Sequence, residues 1–272
     1  MKKLLFLILA IISLNIYSQH KKSDKILNEG KLLYRLEKGS WYGTDLFLAN
    51  YPNKRDSTGG YLSYEKDHKI YTIFFNRYDH NKVLARYKFD SIPKQKALDV
   101  ELNKNATALE KELITIRLDA KKRMFENKDK FFSFYKETSP NFIPLITKNK
   151  KRVFIFTGPK TNGFVLLGND YVLTYNKKNK FKKKEKLHNT LLQFAYKSEK
   201  KDNPTVSTMH SHVVTKYITS TDICTLLLYK DFVEWKKHIV ISKKYVSIFD
   251  MKKETLFIMK RKAWDKIMTH SN

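Results

Sequence analysis

Between Thr208 and Leu228 the chain changes its hydrophobic period, and no other stretch constrains the fold as tightly. Thr208-Met209-His210-Ser211-His212 suits a strand, Thr219-Ser220-Thr221-Asp222 suits a helix start, and Ile223-Cys224-Thr225-Leu226-Leu227-Leu228 continues as an apolar run. Side chains alternate between the faces of a strand, so His210 and His212 point the same way. An aspartate at the head of the next helix can close on them from a third direction. Two imidazoles and a carboxylate are ligand types for Zn²⁺, and a mononuclear zinc site is the sharpest chemistry this pattern supports. The plainer reading is structural: Thr219-x-x-Asp222 is nearly a capping box, and alternating histidines also make a polar strand face.

The surroundings predict an α+β protein. With a single cysteine, Cys224, the chain has no intramolecular disulfide framework, so stability rests on ordinary cores, for which 42% apolar residues suffice. Cys224 itself reads as a small buried hydrophobe. Residues 20–93 read as β-rich: runs at 61–64, 69–75 and 83–89, split by polar turns, predict an antiparallel meander, and residues 30–48, with Trp41, Tyr42, Leu46 and Phe47, predict one or two further strands. Residues 94–150 read as a helical segment and connector. Leu98, Leu102, Leu109, Leu113, Ile116 and Ala120 recur at helical spacing, Glu101, Glu110 and Glu112 read as solvated helix residues, and Ser139-Pro140 and Pro144 punctuate the connector. Residues 151–272 read as a second α+β region. Its strands are expected at 152–157, 163–167, 171–175, 190–196, 206–213, 238–242, 245–249 and 255–258, with a helix over 220–235 and a helical tail near Trp264.

Lys2-Lys3 followed by the apolar run Leu4 to Leu14 has the form of a secretory signal too short to span a bilayer. Export to the periplasm or medium is expected, with cleavage near Ser18 or Gln19 and no transmembrane span afterwards. The chain carries 54 Lys and Arg against 27 Asp and Glu, a net charge of +27, and loss of residues 1–19 removes two lysines and leaves +25. Such a charge suits an anionic envelope polymer. The densest run, Lys177 to Lys186, reads as a solvated hairpin end or loop. No recognition motif accompanies it, so no specific nucleic-acid partner is expected.

The sequence contains no His-Glu-x-x-His, nucleophile elbow or phosphate loop. His210-Ser211-His212 with Thr219-x-x-Asp222 heading a helix resembles the core of the MPN/JAMM-type zinc metallopeptidases. Residues 151–250, with Thr157-Gly158-Pro159, Gly168-Asn169-Asp170-Tyr171 and Lys244-Tyr245-Val246 alongside these motifs, also resemble a family of exported proteins of Bacteroidota-type bacteria, a resemblance that implies no activity. The JAMM resemblance implies that 151–272 is a JAMM-like domain in which His210, His212 and Asp222 bind Zn²⁺. It places Thr219 where a serine hydroxyl orients water or an oxyanion, and it implies a peptide or protein substrate cut by hydrolysis. Val213 stands where the family has proline, and the interval from His212 to Asp222 is one residue shorter. For the general base the candidates are Asp170, Glu185, Glu199 and Asp202. Only Asp170 adjoins a strand, in a Gly-Asn-Asp setting that is also ordinary turn chemistry. His188, beside the lysine run, is a possible extra ligand but reads as exposed. The alternative function is a non-catalytic envelope binding module of the same fold.

Overall fold

The computed structural model describes residues 2–148, 150–196 and 205–270, with side chains from residue 20 onward. The chain forms two compact units, Leu32–Phe194 and Met1–Lys31 together with Ala195–Asn272. Helices and mostly antiparallel sheets make both of them α+β, the class the sequence predicts. Glu199 and Asp202 lie outside the described residues.

The first element corrects an expectation. Residues 30–48 belong not to strands but to a helix, α1 (Lys2–Asn50). Leu33, Leu36, Ser40 and Phe47 are among its buried positions in the larger unit, a helical spacing that the neighbouring aromatics obscured. Gly39 and Gly43, four apart, lie within this helix. They serve close approach: a Cβ at Gly39 would lie 2.7 Å from Ile70, and one at Gly43 2.8 Å from Thr72.

In the Leu32–Phe194 unit, β1 (Thr58–Lys66), β2 (Lys69–Asn76), β3 (Lys82–Phe89) and β4 (Asp99–Asn105) form an antiparallel sheet in that order. The meander therefore extends one strand further than the sequence indicates. Leu98 and Leu102, which fitted a helical period, belong at or before β4. Helix α2 (Ala108–Glu126) starts only at Thr107, where a complete capping box closes against Glu110.

Glu110 is not solvated. It is fully buried, and both of its oxygens accept from Arg86, through Nε and Nη2 at 2.7 Å each, while Tyr64 donates to it at 2.8 Å. Glu101 lies on β4 and pairs with the same Arg86, and Glu112 pairs with Lys151 at 2.9 Å. Helix α2 packs in two directions. Leu113 and Ile114 meet Leu62, Ile73, Phe75 and Val83 of the meander, and Ile116, Ala120 and Met124 meet a second sheet.

That second sheet has the order β5 (Thr138–Thr147), β6 (Lys150–Pro159), β8 (Tyr171–Tyr175), β9 (Phe181–Lys186), while β7 (Phe164–Gly168) pairs with β10 (Leu191–Ala195). The expected connector at 139–144 is thus strand β5. It lies at the sheet edge, where Pro140 and Pro144 can sit without breaking a central ladder. The lysine run divides between the β8–β9 turn and β9 itself, whose exposed lysines blunt the opposite edge. Residues 151–272 do not form one domain: β6 to β9 share a core with the helix and connector placed before them.

The other unit holds β11 (Ser207–His212), α3 (Ser220–Tyr229), β12 (Lys237–Ser242), β13 (Tyr245–Asp250), β14 (Thr255–Lys260) and α4 (Arg261–Thr269). Strands β11 and β12 are parallel and joined through α3, and β13 and β14 follow antiparallel. Helix α3 stops at Tyr229, six residues before the expected end, where Phe232 N turns back to the Tyr229 carbonyl. Cys224 is fully buried. Among the described residues no helix is long and apolar enough to cross a membrane.

Candidate metal centre

Strand alternation does for His210 and His212 what the sequence predicts. Thr208, His210 and His212 are buried while Ser207, Met209 and Ser211 are exposed. Parallel register then sets Thr208 beside His238, His210 beside Val240 and His212 beside Ser242, whose buried side chains continue the same face. Helix α3 brings Asp222 to this face from its first turn. His210, His212 and Asp222 offer ligand atoms that all lie within 4.8 Å of one another. All three side chains are buried, Asp222 completely.

Hydrogen bonding decides which nitrogens are available. His212 Nδ1 lies 2.9 Å from the Tyr217 carbonyl, which can only accept, so Nδ1 carries a hydrogen and Nε2 is the nitrogen turned to the site. Thr215 Oγ1 sits 2.7 Å from the same nitrogen and donates its own hydrogen to that carbonyl, consistent with this tautomer. His212 Nε2 faces His210 Nε2 at 2.7 Å and Asp222 Oδ2 at 3.4 Å. A proton on His212 or a cation between the two groups would each suit that separation. The buried cluster of two imidazoles and a carboxylate fits a cation by its ligand types and spacing. Two nitrogens on one tetrahedral zinc stand about 3.3 Å apart, so ligation asks the imidazoles to part by about 0.6 Å.

His238 is the residue that sequence reasoning missed. It is fully buried; its Nε2 lies 2.8 Å from His210 Nδ1 and its Nδ1 lies 2.7 Å from Thr208 Oγ1. Burial, then the neighbouring His210, hold its pKa down at about 3, so it is neutral near pH 7 and carries a single hydrogen. With Thr208 donating to its Nδ1, that hydrogen sits on Nε2 and is donated to His210 Nδ1, and His210 Nε2–H in turn donates to His212 Nε2; a cation held by both Nε2 atoms would require this chain of hydrogens to reverse. The available signal was strand alternation: His238, Val240 and Ser242 alternate as His210 and His212 do. Their parallel pairing, however, is a tertiary fact.

Thr219 caps α3. Its hydroxyl accepts from Asp222 N at 3.1 Å and donates to Asp222 Oδ2 at 2.8 Å, while Thr219 N donates to the same oxygen at 2.9 Å. The capping box is thus complete, and the hydroxyl expected to serve water or an oxyanion is engaged within it. Ligation remains open to Asp222 because a carboxylate offers about four lone-pair sites on its two oxygens. Glu29 also reaches this turn, accepting from Ser220 Oγ at 2.9 Å.

Asp170 belongs to the Leu32–Phe194 unit. It is buried beside the left-handed Gly168 and Asn169, and Oδ1 accepts from Thr157 N of the neighbouring strand β6 at 3.3 Å. His188, expected to be exposed, is buried in that same unit with Nδ1 3.4 Å from Asp170 Oδ2. Comparisons with protein-family models, curated proteins and solved structures find no match for this chain.

Proposed function

We propose that the unit carrying β11, α3 and β12 is a zinc-dependent, JAMM-like hydrolase of peptide or isopeptide bonds, exported on the strength of the charged and apolar run at residues 2–14. The observation that carries this reading is the convergence of His210, His212 and Asp222 on one buried point, with His212 Nε2 3.4 Å from an Asp222 oxygen. His210, His212 and Asp222 would hold the ion. When bound, zinc supplies a Lewis acid for an amide carbonyl and makes water acidic enough to attack near neutral pH. The protein does the positioning. Tyr217 and Thr215 hold His212 at its Nδ1, His238 and Thr208 hold His210 at its Nδ1, and Thr219 holds Asp222 against the first turn of α3. Burial excludes water from the flanks of the site and strengthens each of these contacts.

A second reading has its own support. Thr219 and Asp222 complete a helix cap, and Asp170 of the other unit accepts from the backbone of a neighbouring strand, so the residues proposed for chemistry also have structural employment. This favours a non-catalytic envelope module that keeps the metal-site geometry. Elemental analysis of the purified full-length protein, with His210→Ala and His212→Ala variants, tests the metal; cleavage of peptide and isopeptide-linked substrates by the zinc-loaded protein tests the chemistry. Stoichiometric zinc lost in both variants, together with zinc-dependent cleavage, is expected. Zinc without cleavage leaves the binding module, and absence of zinc from the folded protein refutes the hydrolase.

A further inference from the structure

A cleft of about 550 Å³ opens beside His212, entirely within the same unit. One wall is the chain leaving β11, from Ser211 to Lys216; the other is the chain leaving β12, from Ile241 to Lys244; Arg261, at the start of α4, completes it. The cleft therefore lies beyond the carboxyl ends of the two parallel strands, where open sheets of this kind place their ligands. Its floor is held rigidly, since Ser242 Oγ donates to the Lys216 carbonyl at 2.7 Å and accepts from Tyr245 N at 3.1 Å.

The lining has one sign of charge. Lys216, Lys243, Lys244 and Arg261 are cationic, and among the described residues no acidic side chain lines the cleft. The three lysines are exposed, and Arg261 is fixed by Asp265 of its own helix at 2.7 Å. Between the cations Val213 and Val214 present apolar side chains that are 78% and 47% exposed. Three cations around an apolar patch suit aliphatic stems that end in carboxylates. Because His212 both lines this cleft and belongs to the ligand set, a chain lying in it would run beside the proposed metal.

We propose that this cleft is a substrate subsite for an acidic peptide segment, with carboxylates engaged by Lys216, Lys243 and Lys244 and backbone laid over Val213 and Val214. Its role as a substrate subsite rests on the hydrolase reading; anion binding by the cleft does not, because its cations belong to the chain.

The test is methyl-detected NMR on the full-length protein, titrated at 150 mM NaCl with acetyl-tetraglutamate amide or its tetraglutamine counterpart, with and without zinc. Saturable shifts at Val213, Val214 and Ile241 are expected for the acidic peptide only. Lys216→Gln/Lys243→Gln/Lys244→Gln should weaken its binding roughly tenfold or more. An equal loss of charge from β9, Lys182→Gln/Lys183→Gln/Lys186→Gln, should change it less than twofold. Equal binding of both peptides, unmoved cleft methyls, or an equal loss from the β9 variant overturns the proposal. Binding retained in a protein that takes up no zinc upholds the anion site while sinking the hydrolase. Zinc uptake without peptide binding sinks the anion site and leaves the metal site standing.

Discussion

Asp222 is asked to be both a helix cap and a metal ligand, and isosteric replacement separates the two roles. In Asp222→Ala the Thr219 N–H and hydroxyl both lose their acceptor within a fully buried turn. A lost cap costs about 0.5–2 kcal/mol and a buried donor left unsatisfied about 1–3 kcal/mol, so the overlapping effects should total roughly 2–4 kcal/mol. For a unit of about 100 residues each kcal/mol lowers Tm by roughly 4 °C, predicting a fall of about 8–16 °C in metal-free protein. Asp222→Asn keeps an amide oxygen for the same two donors, and its Tm should fall by less than about 4 °C. Zinc affinity should fall in both variants by more than the ~10–100-fold typical of losing an outer-shell partner. Thermal denaturation in chelator, paired with zinc competition against a chromophoric chelator, measures both quantities. Wild-type zinc affinity in Asp222→Asn would remove Asp222 from the ligand set. An Asn variant as unstable as the Ala variant would refute the capping account.

Other outcomes follow from the same structure. His238→Ala should weaken zinc binding by ~10–100-fold while leaving the Thr219–Asp222 cap intact, measured by the same competition assay and by amide exchange at Asp222. In the larger unit, burial raises Glu37 to about 8 against the opposing effects of its Asn141 hydrogen bond and of Arg117. Between pH 4.5 and about 8 the unfolded chain has lost this proton and the folded chain keeps it, so this group's contribution to stability falls as pH rises through that window, on the order of 4–5 kcal/mol in all. Glu37→Gln should flatten that slope in urea unfolding at pH 5 and pH 8, and an unchanged slope would locate the titration elsewhere. Arg86→Ala leaves Glu110 buried without its bidentate partner and should cost about 3–5 kcal/mol, read as a shift in urea midpoint.

Local chemistry determined much of what the sequence alone conveys. The alternation of Thr208, His210 and His212, the turn signals between β1, β2 and β3, and the Thr219–Asp222 helix start depend on side-chain period and capping within a few residues, so they were legible. The α+β class follows from the order of such segments. Where the sequence misleads, distant contacts override local preference. Trp41, Tyr42, Leu46 and Phe47 argue for strands where a helix lies with Gly39 and Gly43 close against β2; Pro140 and Pro144 argue for a connector until β5 is seen at a sheet edge. Glu110 looks like one more solvated helix residue because nothing near it reveals Arg86, 24 positions earlier. At the candidate metal centre the sequence supplied His210, His212 and Asp222, whereas His238, 28 residues beyond His210, joins only through parallel pairing across a helical crossover. Strand registry and the burial it creates are properties of the assembled chain, and they determine which imidazole nitrogen is left to bind a metal.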